Sequence, residues 1–273
     1  MPLVKASKGQ DSPSGISLPT EIRTSANDAD YVFMIDASGA PYKITKANFL
    51  AGLSSGTTSG GTSGGTNLNS SLIFGSHFES LIDVKGHTIA GGAVISGDQK
   101  YFGSSSLYCD GSAASYATVS DPNSDFSIAD SENFTFASFL HFIALPSAYG
   151  FAPFLQIGSN LGTNGFRVGW DNETGGLIQL FLGGTDFYFP WAPSINTWYY
   201  FSLERNNGSV ICKIDGSQIG NSINKASAIV GGSNILIGGA SAATSQRMRG
   251  YFDELIFSRS YLAITSKPTQ AFS

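Results

Sequence analysis

From Leu72 to Ser258 the chain alternates short runs of β-branched, aromatic and aliphatic residues with Gly, Asn, Asp and Pro. Phe134-Thr135-Phe136-Ala137-Ser138-Phe139, Gly165-Phe166-Arg167-Val168-Gly169-Trp170, Leu177-Ile178-Gln179-Leu180-Phe181-Leu182 and Val210-Ile211-Cys212-Lys213-Ile214 are of this kind. No window of about 11 residues keeps a helical period. About a dozen short strands in some 200 residues predict two antiparallel sheets packed face to face. Arg205-Asn206-Asn207-Gly208-Ser209 reads as a tight hairpin, because Asn and Gly accept the positive φ such turns require. Composition agrees. Of 273 residues 41% are hydrophobic, with 20 Phe, 11 Tyr and 3 Trp, enough to bury a core. Only 13% are charged, too few for a coiled coil. The net charge of -5 argues against a nucleic-acid binder driven by charge.

A low-complexity segment divides the chain. From Gly52 to Ser71, 16 of 20 residues are Gly, Ser or Thr, a linker composition. Residues 1–51 carry five basic and five acidic residues, so the whole acidic excess lies beyond them. These 51 residues are too few for an ordinary domain. They read as an extended arm, a strand-turn-strand over Asp30–Asp36 and Tyr42–Thr45, then a helical turn to Leu50. A two-stranded hairpin is marginal alone. The arm is therefore expected to be ordered by a partner, with Tyr31, Phe33, Ile35, Ile44, Phe49 and Leu50 as its anchoring residues. The expected division is 1–51 arm, 52–71 linker and 72–273 sandwich. Neither a secretory signal nor a run of ~18–20 apolar residues is visible, so a soluble, cytosolically made chain without membrane insertion is expected.

Three stretches resemble laminin-G-like, concanavalin A-like jelly rolls. They are Ser131–Phe139, then Asn196–Arg205 with Cys212-Lys213-Ile214-Asp215-Gly216, then Ile235–Gly239 with Met248–Phe257. The resemblance implies a jelly-roll sandwich over most of 72–265, with glycan or protein binding and, in some members, calcium at a rim. It implies a buried core position for Trp198. Asp30–Asp36 with Lys43-Ile44-Thr45-Lys46-Ala47-Asn48-Phe49-Leu50 resembles short anchoring segments of tailed-bacteriophage virion proteins.

The chemistry points to binding rather than catalysis. Retaining glycosidases hold two carboxylates about 5–5.5 Å apart. Asp253 and Glu254, adjacent in a strand, should point to opposite faces, with Asp253 bonding a turn at a sheet edge. No nucleophile elbow is present. His141, inside a Phe-rich strand, reads as a hydrogen-bonded strand residue. Cys109 and Cys212 alternate with apolar neighbours and read as small core residues; whether they pair is left open.

Sugar binding uses exposed aromatics flanked by Asp, Asn and Gly. Gly183–Pro193 offers Asp186, Tyr188 and Trp191, since a loop with Pro190 and Pro193 cannot be a central strand. Trp170, Asp171 and Asn172, at a hairpin tip, are a second group; both tryptophans could instead cap the core. No cofactor and no metal site is expected. Calcium is the one ion the sequence leaves room for, at Asp121-Pro122-Asn123-Ser124-Asp125 or Asp171-Asn172-Glu173, which are also ordinary turn sequences. The arm-linker-lectin order leads to a phage virion protein. A homotrimeric tail fibre, docked to other virion proteins and contacting host surface polysaccharide, comes first. A capsid decoration protein and a glycan-active hydrolase are the alternatives.

Overall fold

The computed structural model describes residues 71–272, apart from 122, 148–149, 159–163, 173–174, 232–233 and 241–245. Nearer the N-terminus it describes the backbones of 3–5, 21–23, 31–35 and 41–45. The chain divides into two units, Met1–Ser63 and Gly64–Ser273, at a point inside the Gly/Ser/Thr segment.

In the first unit β1 (Leu3–Lys5) pairs antiparallel with β2 (Glu21–Arg23), and β3 (Tyr31–Ile35) with β4 (Pro41–Thr45). The second pair is the expected hairpin, with Tyr31 opposite Thr45 and Ile35 opposite Pro41. Its backbone carries Tyr31, Phe33, Ile35 and Ile44. Phe49, Leu50, the helical turn expected beyond Thr45 and residues 52–70 lie outside the described residues. The β1–β2 pair was not expected, because three-residue strands are too short to show a period.

The second unit is all-β. Its strands are β5 (Leu72–Ser76), β6 (Ile89–Gly91), β7 (Val94–Ser96), β8 (Ser106–Asp110), β9 (Ala117–Ser120), β10 (Phe134–Ala144), β11 (Phe151–Ile157) and β12 (Phe166–Asp171). They continue with β13 (Leu177–Leu182), β14 (Thr185–Pro190), β15 (Trp198–Asn206), β16 (Ser209–Ile214), β17 (Ser217–Gln218), β18 (Ile223–Asn224), β19 (Asn234–Ile237) and β20 (Arg249–Ser258). One sheet runs β14-β13-β12-β11-β19-β9-β6. The other runs β17-β16-β15-β10-β20-β8-β7, with β18 beside β16 and β5 beside β20. Every pairing is antiparallel, as a sandwich of this class requires. The Asn207–Gly208 turn has φ values of 48° and 83°, the left-handed pair expected between β15 and β16.

Alternate residues of both sheets fill the space between them: Phe134, Phe136, Leu140 and Phe142 from β10, Phe166, Val168 and Trp170 from β12, Ile178, Leu180 and Leu182 from β13. Cys109 and Cys212 are unpaired and fully buried there. A second apolar cluster lies on the opposite face of the nine-stranded sheet. Leu72, Ala137, Phe139, Tyr200 and Ile256 are covered by Tyr101, Phe102, Trp198 and, from the C-terminal segment, Leu262, Ile264 and Phe272. Trp198 is therefore half-buried outside the sandwich, not in its core, because His141 opposite it on β10 also faces outward. Arg205 is fully buried and donates to the carbonyls of Glu132, Ser227 and Ala129, tying three loop positions to the sheet end.

Asp253 and Glu254 do not point to opposite faces. A register shift between β10 and β20 coincides with φ of 48° at Glu254. The core positions of β20 thus run Phe252, Leu255, Phe257, leaving both carboxylates outside the core. Nor is β20 an edge: it pairs with β10, β5 and β8. Asp253 does bond a turn, accepting the N–H groups of Tyr101 at 2.7 Å and Phe102 at 3.0 Å. His141 is a strand residue as expected, paired with Trp198 and Tyr251, while its buried Nδ1 has no hydrogen-bond partner among the described residues.

Candidate functional site

The outward face of β11–β14 gathers polar and aromatic side chains from four neighbouring strands. Gly183 and Gly184, with φ of 58° and 77°, close the β13–β14 hairpin and place Leu182 opposite Thr185. Counting back, Phe181 meets Asp186 and Gln179 meets Tyr188. The inward positions on these strands are apolar (Ile178, Leu180, Phe189), so Gln179, Asp186 and Tyr188 must point away from the core. Gln179 Nε2 donates to Asp186 Oδ1 at 3.1 Å and reaches Tyr188 Oη at 3.5 Å. Tyr188 remains 51% exposed on edge strand β14, its ring open to solvent.

β12 pairs with β13 so that Arg167 stands opposite Phe181 and Gly169 opposite Gln179. The Arg167 guanidinium lies 4.6 Å above the Phe151 ring and donates through Nη1 to Gln246 Oε1 at 3.2 Å. Its Nε is buried without a hydrogen-bond partner among the described residues. Burial holds its pKa below the usual arginine value, with Asp186 and Asp171 pulling the other way. Gly169 makes room for the aromatic: a Cβ there would sit 2.6 Å from Phe151 Cζ and 2.4 Å from the Ala152 carbonyl. The face therefore presents a carboxylate, a carboxamide, a phenol and a guanidinium beside an aromatic ring. That set offers both donors and acceptors to a hydroxylated ligand, with a ring face to stack on it.

The six sequence candidates separate. Asp186 and Tyr188 sit on this face. Asp171, at an outward position of β12, is buried, yet close enough to act on Arg167. Asn172 donates its side-chain N–H to the Pro146 carbonyl and its backbone N–H to Gly150, a loop-fastening role. Trp170 is buried in the core and is not at a hairpin tip open to ligand, because it holds an inward position of β12. Trp191 follows edge strand β14, half-buried, and packs against Phe142 and Tyr199. Arg167, Gln179 and Phe151 were not anticipated. The Gly183-Gly184 turn alone would have paired Gln179 with Tyr188; Arg167 and Phe151 require the strand order.

The carboxylates of this face are not placed as a hydrolytic pair. Asp171 and Asp186 are two strands apart sideways and two outward positions apart along the strands. At ~4.8 Å per strand and ~3.3 Å per residue that is roughly 16 Å, beyond the reach of a glycosidase acid–nucleophile pair. Of the proposed calcium ligands, Asp121 accepts the N–H groups of Asp125 at 2.6 Å and Phe126 at 3.4 Å, which fastens its own loop. Pro122 and Glu173 lie outside the described residues. Among the described residues, no three His, Cys, Asp or Glu side chains converge on a metal position.

No family profile and no curated protein sequence matches the chain. Solved structures do match its fold. The binding domain of botulinum neurotoxin serotype G aligns with a TM-score of 0.53 and 16% identity, over 70% of this chain and 48% of that one. The serotype D ligand-binding domain, solved with N-acetylneuraminic acid, gives 0.54 and 14%, over 71% and 48%. Domain 4 of the arabinanase AbnA from Geobacillus stearothermophilus, solved with arabinotriose, gives 0.52 and 11%, over 70% and 93%. The chain spans about half the length of the neurotoxin domains it matches and nearly all of the arabinanase domain. At these identities the likeness shows the fold alone, an antiparallel β-sandwich.

Proposed function

We propose that the sandwich is a non-catalytic carbohydrate-binding module whose ligand lies across the outward face of β11–β14. The observation that carries this reading is the Gln179 bridge between Asp186 and Tyr188, with Arg167 over Phe151 two strands away. A pyranose or furanose stacked on Tyr188 would find acceptors in Asp186 and Gln179 and a donor in Arg167. Domain 4 of AbnA, which aligns along nearly its whole length, was solved holding an arabinose oligosaccharide, and this supports the reading. The finer proposal is that residues 1–51 anchor a homotrimer to a tailed-phage particle, so that several modules face host surface polysaccharide together. The motif at Lys43–Leu50 motivates it, and multivalency would offset weak single-site affinity.

The test is a glycan array probed with the full chain, followed by titration of the best hits against Tyr188→Ala and Arg167→Ala. Losses of tenfold or more in both variants, with unchanged thermal unfolding, are the expected result. Saturable binding that neither substitution weakens would move the site off this face. Absence of binding to any host polysaccharide by the assembled oligomer would remove the receptor-binding role.

A further inference from the structure

Away from that face, a cavity of about 250 Å³ opens where β5 begins and β20 ends. Leu72 and Ile73 form its apolar wall; Lys85, His87, Asp125 and Arg259 supply the polar one.

His87 is held there by a buried carboxylate. Asp83 Oδ1 accepts the N–H groups of Lys85 at 3.0 Å and His87 at 2.6 Å; Oδ2 accepts that of Gly75 at 3.2 Å and faces His87 Nδ1 at 3.1 Å. A carboxylate only accepts, so Nδ1 carries the proton and Nε2 is turned toward Asp125, 3.6 Å from its Oδ2. Phe74 and Phe126 pack beside the ring at 6.2 and 5.7 Å and fix its plane. Both oxygens of the buried Asp83 are thereby engaged.

The cations are in the opposite condition. Among the described residues, neither Lys85 nor Arg259 comes within 4.0 Å of a carboxylate oxygen. Arg259 Nη2 donates to the carbonyls of Asp125 at 2.9 Å and Ser127 at 3.1 Å, which orients the guanidinium without neutralising it. Asp125 is the one carboxylate in the wall, and it faces His87 rather than either cation.

We propose that this cavity is a second ligand site, separate from the sheet face, for a small molecule bearing a carboxylate or phosphate group. Lys85 and Arg259 hold the oxyanion, His87 Nε2 accepts from a neighbouring ligand hydroxyl, and Leu72 and Ile73 cover the ligand's apolar side. The volume suits one sugar acid or one phosphate with its water, given ~30 Å³ for each water molecule. Asp125 keeps the affinity modest by repelling the same charge.

Backbone amide NMR of the full chain, titrated at constant ionic strength with inorganic phosphate, glucuronate and glucose, tests this and separates the two sources of oxyanion. Saturable shifts at residues 83–87, 125–127 and 259 with phosphate, glucuronate or both are expected, and none with glucose. Lys85, whose side chain makes no hydrogen bond among the described residues, is the residue to change: Lys85→Gln should weaken binding about tenfold or more. Asp125→Asn should tighten it, an effect that damage to the fold cannot mimic. Tyr188→Ala should leave it unchanged, so this site and the sheet-face site fail independently. Equal shifts with glucose, no shift with either anion, or weaker binding in Asp125→Asn would overturn the proposal.

Discussion

The indole Nε1 of Trp170 donates to the backbone carbonyl of Trp191 at 3.0 Å, so the two tryptophans that resemble sugar platforms in the sequence fasten each other. Trp191 packs against Tyr199 at 5.2 Å and Phe142 at 6.0 Å, and Tyr199 Oη accepts the Ser194 N–H at 3.0 Å. Together they close one end of the sandwich. Trp170→Phe removes the donor and leaves a smaller ring in a buried site, and should cost roughly 2–4 kcal/mol in urea unfolding. It should leave glycan affinity unchanged. Tyr188→Ala, on the exposed edge, should show the converse: affinity lost and stability held within about 0.5 kcal/mol. If Trp170→Phe weakened binding more than Tyr188→Ala, the ligand would lie at the sandwich end instead.

How far the sequence could be read follows from these residues. Alternation and turn chemistry were enough for the sandwich, because Asn207–Gly208 and the inward Phe of β10 act over a few residues. The site was legible only in part. Asp186 and Tyr188 stand in an aromatic stretch that draws notice, whereas Arg167 and Gln179 are single polar residues in apolar strands and read as solvated positions. Which strands lie side by side decides their meaning, and that is a long-range property. Trp170 shows the same limit: ring size signals burial and binding alike, and only its inward position decides between the two alternatives. The bulge at Glu254 was equally hidden, since one residue with positive φ reverses the face of its neighbours without altering composition.

The C-terminal segment is held to the nine-stranded sheet by a buried ion pair. Lys213 Nζ lies 2.9 Å from Glu204 Oε1 and donates to the Ile264 carbonyl at 2.6 Å, while Glu204 Oε2 accepts the Ile264 N–H at 3.1 Å. Lys213→Met leaves a fully buried carboxylate without its counter-charge, and should cost roughly 3–5 kcal/mol. Adding Glu204→Gln removes the stranded charge and should restore much of that loss. Chemical denaturation of the two variants checks it, a double variant no more stable than Lys213→Met being the contrary result.

Gly216 lets the same segment pass. Its φ is 83°, and a Cβ would stand 2.2 Å from the Ser266 nitrogen, a backbone atom that cannot rotate aside. Gly216→Ala should therefore loosen residues around 266 as well as strain the β16–β17 turn, at ~1–3 kcal/mol for the backbone alone. Faster amide exchange at Ile264 and Ser266 than in wild type is the expected readout.

Cys109 and Cys212 should be chemically silent. Burial pushes the Cys109 thiol up to about 12 and the Cys212 thiol well above its usual value, so neither holds appreciable thiolate near neutral pH. Ellman's reagent should find no reactive thiol in the native protein and two after unfolding. A fast native reaction would mean that the core opens around β8 or β16.

Acid and base should act on the fold through His77. Its Nδ1 lies 2.8 Å from Glu254 Oε1, its ring stacks on Phe272 at 4.0 Å, and the other oxygen of Glu254 accepts the Phe272 N–H. The bond to Glu254 raises the His77 pKa above its usual 6.5, Asp253 and Glu79 adding to it and burial opposing. The folded state thus binds this proton more tightly than the unfolded chain. The resulting stabilisation is complete below pH 6.5 and is lost as pH rises through the raised folded value. Asp253 contributes in the same sense at lower pH: burial raises it from 3.8 to about 6, so its share of stability falls between those values and is constant above them. His141 opposes both, since burial lowers its pKa and costs stability as pH falls below 6.5. Substitution isolates the first effect. His77→Gln should lower the thermal midpoint more at about pH 5.5 than at about pH 8.5, with Asp253 and His141 common to both proteins. A gap that widens toward high pH would show that the His77–Glu254 contact does not hold the C-terminal segment through charge.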